Sequence, residues 1–262
     1  MTQNILCDII FILIKTLDKI LEVTQNMTVN VFFDLDMTLA YRILMWTDTV
    51  RELLLEECIV VKESDIKPFN IGNGYPWNMP ELSHKEFFKG KSFWEHIEDY
   101  MIEGLLERDI CSYEVARRVA NKFRDRYLDI AYWRIFPDTI PAIRAIRSRG
   151  YGVHLISNRV PECRQLLDAL HLTELFDSIT LSPEVGYEKP NHKIFEHALI
   201  GHEGEFNIMI GDNYNADIVG GLGANMHPIL VRKRNKNGYR YYAPNLKDIV
   251  AKIDEVIENE TR

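Results

Sequence analysis

Nowhere in its 262 residues does the chain carry an apolar run long enough to span a bilayer. The nearest approach, Ile5 to Ile14, is too short and contains Asp8. It has neither a basic leader nor a small-residue cleavage site, so no secretory signal is expected. Cysteine is scarce: Cys7, Cys58, Cys111 and Cys163 are scattered, with no C-x-x-C pair. That argues against a disulfide framework or a structural zinc site and fits a reduced, cytoplasmic setting. No H-E-x-x-H pattern is present, and His192 and His197 are badly spaced for one helix face. Positive charge is in deficit, with 31 Lys and Arg against 39 Asp and Glu, a net charge of −8. Broad nucleic-acid binding needs the opposite balance. Any anion site must therefore be made locally, by a metal ion, a lysine or backbone N–H groups. No internal repeat or low-complexity segment is present.

What the chain does contain is a series of short apolar runs separated by helical patterns. Val29 to Phe33 is β-rich and ends in acidic residues, as a buried parallel strand would. Further strands are expected at 152–156, 178–181, 206–210 and 228–231, with helices near 138–149, 161–171, 190–200, 214–223 and 245–258. Strands alternating with helices predict a Rossmann-like α/β core, a parallel sheet with helices on both faces. Between the first and second strands lie roughly 120 residues, far more than a crossover needs. Helices are expected there near 43–57, 83–90, 92–107 and 112–128, interrupted by the Asn-, Gly- and Pro-rich loop 70–78. The expected organisation is an N-terminal extension at 1–26, a core at 27–40 and 130–262, and an inserted all-helical cap at 41–129. Within the extension, Ile5, Ile9, Ile10, Leu13, Leu17, Ile20 and Leu21 recur at helical spacing. That amphipathic helix could pack on the domain or a partner, or bind a membrane surface; alternatively Met27 is the natural start.

The first strand runs into Asp34-Leu-Asp36-Met-Thr38. Carboxylates at i and i+2 share a side of extended backbone, and two close anions are costly unless a cation joins them or one holds a proton. Alone, such a pair is equally consistent with a solvated turn. Three further features follow predicted strands: Ser157-Asn158, Lys189-Pro190, and Gly211-Asp212-Asn213 with Asp217. The carboxyl ends of parallel strands share one ligand-binding edge. Acids, a hydroxyl and an ammonium gathered there suit phosphoryl transfer. The carboxylates supply hard oxygen ligands for a divalent cation, and the donors hold phosphate oxygens.

In these four segments, Asp34-x-Asp36-x-Thr38, Ser157, Lys189 and Gly211-Asp212 through Asp217, the chain resembles the haloacid dehalogenase-like (HAD) hydrolase superfamily. The phrase from Glu188 to Phe195 is similar to the usual third motif, and the likeness covers about residues 29–235. It implies a magnesium-dependent phosphomonoester hydrolase with an aspartyl-phosphate on Asp34. By the resemblance, Asp34 is the nucleophile and a metal ligand. Asp36 is the acid and base for the leaving oxygen and the water, and its carbonyl touches the metal. Thr38 positions Asp36 or phosphate, and Ser157 and Lys189 hold phosphate oxygens. Asp212 is the second carboxylate ligand, Asp217 supports the metal through waters or Lys189, and Asn158 and Asn213 are candidate further donors. Met37 stands where glycine is common. An acid at Asp36 favours phosphate esters over carbon–halogen bonds, because halide needs no proton.

The implied partner is a small phosphorylated molecule such as a sugar phosphate, nucleotide or phosphoglycolate-like acid, with no nucleic acid and no stable membrane insertion. The chain is expected to be a monomer or homodimer. Tyr75, Trp77, His84, Lys85, Trp94 and His96 either line the inner face of the cap or pack within it. Arg42 is a candidate substrate contact, Tyr132 to Arg134 the return hinge, and Arg232 to Lys236 a basic loop. Two other functions compete with the phosphatase: a phosphomutase using the same intermediate, and a non-catalytic binding protein that keeps the fold.

Overall fold

The computed structural model describes residues 27–66 and 71–261. The amphipathic helix expected within residues 1–26 lies outside the described residues. Along the chain run β1 (Val29–Phe33), β2 (Ala40–Arg42), β3 (Trp133–Ile135), β4 (Gly152–Ser157), β5 (Ser178–Leu181), β6 (Phe206–Gly211), β7 (His227–Val231) and β8 (Tyr242–Ala243). Six of these form one parallel sheet in the order β5-β4-β1-β6-β7-β8. The continuous apolar runs follow from burial on both faces. Val31, Phe33, Ile208 and Ile210 pack into one cluster with Ile143, Ile146 and the C-terminal helix Ile249–Glu260. Their neighbours Phe32 and Met209 point the other way, onto Ile194 and Phe195. The period of two thus fills two cores from one strand. Strand order reverses about β1, with β4 and β5 on one side and β6 to β8 on the other, so a crevice opens at its carboxyl end.

Between β2 and β3 the chain forms an all-helical cap. Its main helices are Trp46–Glu56, His84–Phe88, Phe93–Leu106 and Tyr113–Leu128. Two start with Ser-x-x-Glu boxes: Ser83 with Glu86 and Ser92 with Glu95 satisfy each other's first-turn N–H groups. Their apolar stripes meet in a second core that includes Leu53, Leu54, Ile97, Met101, Leu105, Val119 and Phe123. Where the chain leaves and re-enters the sheet, β2 and β3 pair as an antiparallel ribbon, Ala40 opposite Ile135 and Arg42 opposite Trp133. This ribbon was not expected, because three-residue strands give no readable alternation. The expected helix at 214–223 is in fact a π-helical turn, Tyr214–Val219, followed by a short α-helix, Gly220–Gly223. Among the described residues no helix is long and apolar enough to cross a membrane.

The start of the basic loop is a structural clasp. Arg232 Nη2 lies 2.7 Å from Asp138 Oδ1, and its Nε donates to the Thr38 carbonyl at 2.6 Å. Asp138 Oδ2 accepts the Leu246 N–H at 2.8 Å, and the Arg232 guanidinium lies over the Phe136 ring, 3.6 Å from the ring centre. Loop 34–39, the helix after β3 and the segment before the last helix are thereby tied together. Replacing Asp138 with Ala strands a nearly buried guanidinium and a backbone N–H. The expected loss is about 3 kcal/mol, read as a lower denaturant midpoint with an unchanged slope.

Candidate active site

The ends of β1 and β6 deliver the acidic motifs to one place. Asp34 follows β1 directly and Asp212 follows β6. Lys189, at the start of the segment leading to helix His192–Leu199, is almost wholly buried. Its ammonium donates to Asp34 Oδ1 at 2.8 Å, to Asp217 Oδ1 at 2.7 Å and to the Ile156 carbonyl at 2.8 Å. All three ammonium donors are therefore satisfied. Burial would lower the lysine pKa, but the two carboxylates outweigh it and hold the group above its ordinary value. Asp217 gives its other oxygen to the Asn213 N–H at 2.9 Å. Gly211 makes room for this: a Cβ there would lie 2.1 Å from Asp217 Oδ2.

Oxygens of Asp34, Asp212 and Asp217 lie within 4.8 Å of one another. Burial raises the carboxyl of Asp34, and Lys189 only partly opposes it; Asp217, Asp212 and Asp36 raise it further. Burial also raises Asp212, against the pull of Lys233, whose Nζ stands 2.6 Å from Asp212 Oδ2. Apart from this ion pair, Asp212 Oδ2 has no partner. A buried group of hard oxygen donors, three carboxyls beside two ammoniums, fits a magnesium ion. The residues that would hold it are Asp34 and Asp212, since both oxygens of Asp217 are already engaged.

The remaining motif residues are arranged around this cluster. The Asp36 side chain keeps 38% exposure in a cavity of about 390 Å³ between sheet and cap. The enclosing walls raise its carboxyl, and Arg159 pulls in the opposite direction. Thr38 and Ser157 are fully buried, and neither hydroxyl has a hydrogen-bond partner. Asn158 clamps the Lys189 backbone, accepting its N–H at 2.7 Å and donating to its carbonyl at 2.9 Å. Its amide thus positions the lysine, and the side chain also lines the cavity. The Asn213 side-chain oxygen likewise accepts the Asn215 and Ala216 N–H groups.

Of the six cap candidates, Trp77 lines the cavity. Tyr75 is buried in the cap core against the Trp77 ring at 4.1 Å. Trp94 donates to Glu162, and His84 reaches Glu188 at 2.8 Å. His96 packs against Phe87 and Phe88, and Lys85 is not part of the lining. Trp46, Tyr127 and Arg159 also line the cavity and escaped the sequence reading. Arg159 had a signal, its place two residues after Ser157. Trp46 and Tyr127 had none, being ordinary members of amphipathic helices.

Taken together, the molecule is a capped, Rossmann-like α/β protein whose strand ends gather carboxylates around a buried lysine. A family model for haloacid dehalogenase-like hydrolase matches residues 30–225. The chain belongs to that family. It is 35% identical over 129 residues to glyceraldehyde 3-phosphate phosphatase of Methanothermobacter thermautotrophicus, covering 48% of this chain and 57% of that one. It is 32% identical over 121 residues to human haloacid dehalogenase-like hydrolase domain-containing protein 3, covering 44% and 48%. The chain thus spans about half the length of these curated relatives. Its fold is similar to that of YfnB from Bacillus subtilis bound to magnesium, with a TM-score of 0.66 at 18% identity, covering 87% of this chain and 99% of that one.

Two outcomes follow from this geometry. Gly211→Ala should push Asp217 off Lys189 and lower the melting temperature by several degrees, about 3 kcal/mol; an unchanged melt would show that Asp217 can relocate freely. The raised carboxyls of Asp34 and Asp212 keep protons that the unfolded chain releases above about pH 4. Unfolding then sheds protons, so stability falls as pH rises until the folded carboxyls have ionised. Thermal melts in chelating buffer should decline between pH 5 and 8, and an increase would contradict the assignment.

Proposed function

We propose that the chain is a magnesium-dependent phosphomonoester hydrolase acting on a small organic phosphate through an aspartyl-phosphate on Asp34. The observation that carries this reading is the Lys189 ammonium bound at once to Asp34 and Asp217, with Asp212 alongside. The names of the phosphatase relatives support the phosphorylated class of substrate.

Lys189 fixes one oxygen of Asp34, and the other attacks phosphorus in line. Asp34 and Asp212, with the Asp36 carbonyl, would hold a magnesium ion, which would supply charge neutralisation for the phosphoryl oxygens. The buried hydroxyls of Thr38 and Ser157 find in those oxygens the acceptors they otherwise lack. Asp36, facing the cavity, gives a proton to the departing alkoxide and later takes one from the water that hydrolyses the acyl phosphate. Residues 41–129 act as the cap, with 27–40 and 130–262 as the catalytic core. The cap excludes water and selects the leaving group.

With p-nitrophenyl phosphate and magnesium, the wild type should release phosphate, lose turnover on chelation and regain it on adding the ion. Asp34→Asn should lower kcat by about 10³-fold or more. Persisting turnover in that variant would require another nucleophile and end this reading.

A further inference from the structure

Four cationic side chains line the cavity, and three are already committed. Lys189 is shared by Asp34 and Asp217, and Lys233 sits on Asp212. Arg42 places Nη1 on the Leu44 carbonyl and Thr49 Oγ1, and Nη2 on the Arg126 carbonyl. Arg159 differs. Its side chain is 3% exposed, and Nη1 meets the Tyr127 hydroxyl. Nε and Nη2, the two donors along one edge of the guanidinium, have no hydrogen-bond partner. Asp36 Oδ2 stands 3.5 Å from Nε. The Trp133 and Tyr127 ring centres lie 4.5 and 4.9 Å from the centre of the fork. A buried guanidinium edge without acceptors is costly, and its geometry matches the two oxygens of an anion. Because Asp36 serves the ester oxygen, the group that meets Arg159 belongs to the leaving half of the substrate. The aromatic rings packed beside the guanidinium favour a flat anion over a tetrahedral one.

We propose that Arg159 is a specificity residue whose Nε–Nη2 edge binds a carboxylate one or two carbons from the ester oxygen, making the substrate a phosphorylated hydroxy acid. This rests on the phosphatase reading above.

The test compares kcat/KM for 2-phosphoglycolate, ethyl phosphate, ethylene glycol bisphosphate and p-nitrophenyl phosphate, in the wild type and in Arg159→Met and Arg159→Lys. The wild type should favour 2-phosphoglycolate over ethyl phosphate by about 30-fold, mostly in KM. Arg159→Met should reduce that ratio to about threefold or less, and Arg159→Lys should leave it in between, since an ammonium keeps the charge but not the fork. A wild-type ratio near one, a preference for the bisphosphate, or a ratio unchanged in Arg159→Met would overturn the proposal while p-nitrophenyl phosphate turnover still upheld the phosphatase. Failure to hydrolyse any of the four would overturn both. Should Arg159→Met not fold, the wild-type and Arg159→Lys ratios decide the matter.

Discussion

One ammonium group organises this molecule. Lys189 is buried among two carboxylates and a carbonyl, and removing a charge from water is expensive unless every donor finds an acceptor. Here every donor does, and each acceptor comes from a different stretch of chain: Asp34 after β1, Ile156 within β4, and Asp217 in the π-helical turn. Satisfying the lysine therefore fixes the relative positions of three strand ends. Asn158 holds the lysine backbone, and Gly211 leaves space for Asp217. The arrangement still leaves carboxylate charge over, which is what a divalent cation would require.

The cap is arranged around the same point. Tyr127 touches Arg159, Trp94 and Arg124 both reach Glu162, and His84 reaches Glu188, next to Lys189. Each is a polar contact between inserted helices and a loop that follows a core strand. Together they hold the cap over the cavity that Asp36 lines with Trp46, Trp77 and Tyr127.

The parallel strands could be read because burial on both faces forces unbroken apolar runs, as in Val29–Phe33 and Phe206–Gly211. The residues just beyond those runs could be read with them, since the carboxyl edge of such a sheet is where ligands bind. Cap helices were visible through their spacing, with ends shifted by a few residues. The ribbon β2–β3 and the edge strand β8 were not, because two or three residues carry no periodicity. The π-turn at Tyr214–Val219 was hidden for a related reason: its composition is that of any helix start, and the wider turn depends on the contacts of Asp217. The place of Arg159 two residues after Ser157 hints at the site, but the burial of its guanidinium against Trp133 and Tyr127 depends on residues distant in the chain.

The antiparallel pairing of Ala40–Arg42 with Trp133–Ile135 has a consequence for how such molecules diversify. The chain passes out of the sheet and returns through a single doorway, its two jambs separated by one strand spacing of roughly 5 Å. From the standpoint of the parallel strands, whatever hangs beyond that doorway is a closed hairpin of arbitrary size. Enlarging or exchanging it does not alter the register of β1 against β4 or β6. A lineage can therefore inherit its carboxylate centre intact while replacing the roof above it, acquiring new substrates without rebuilding the floor.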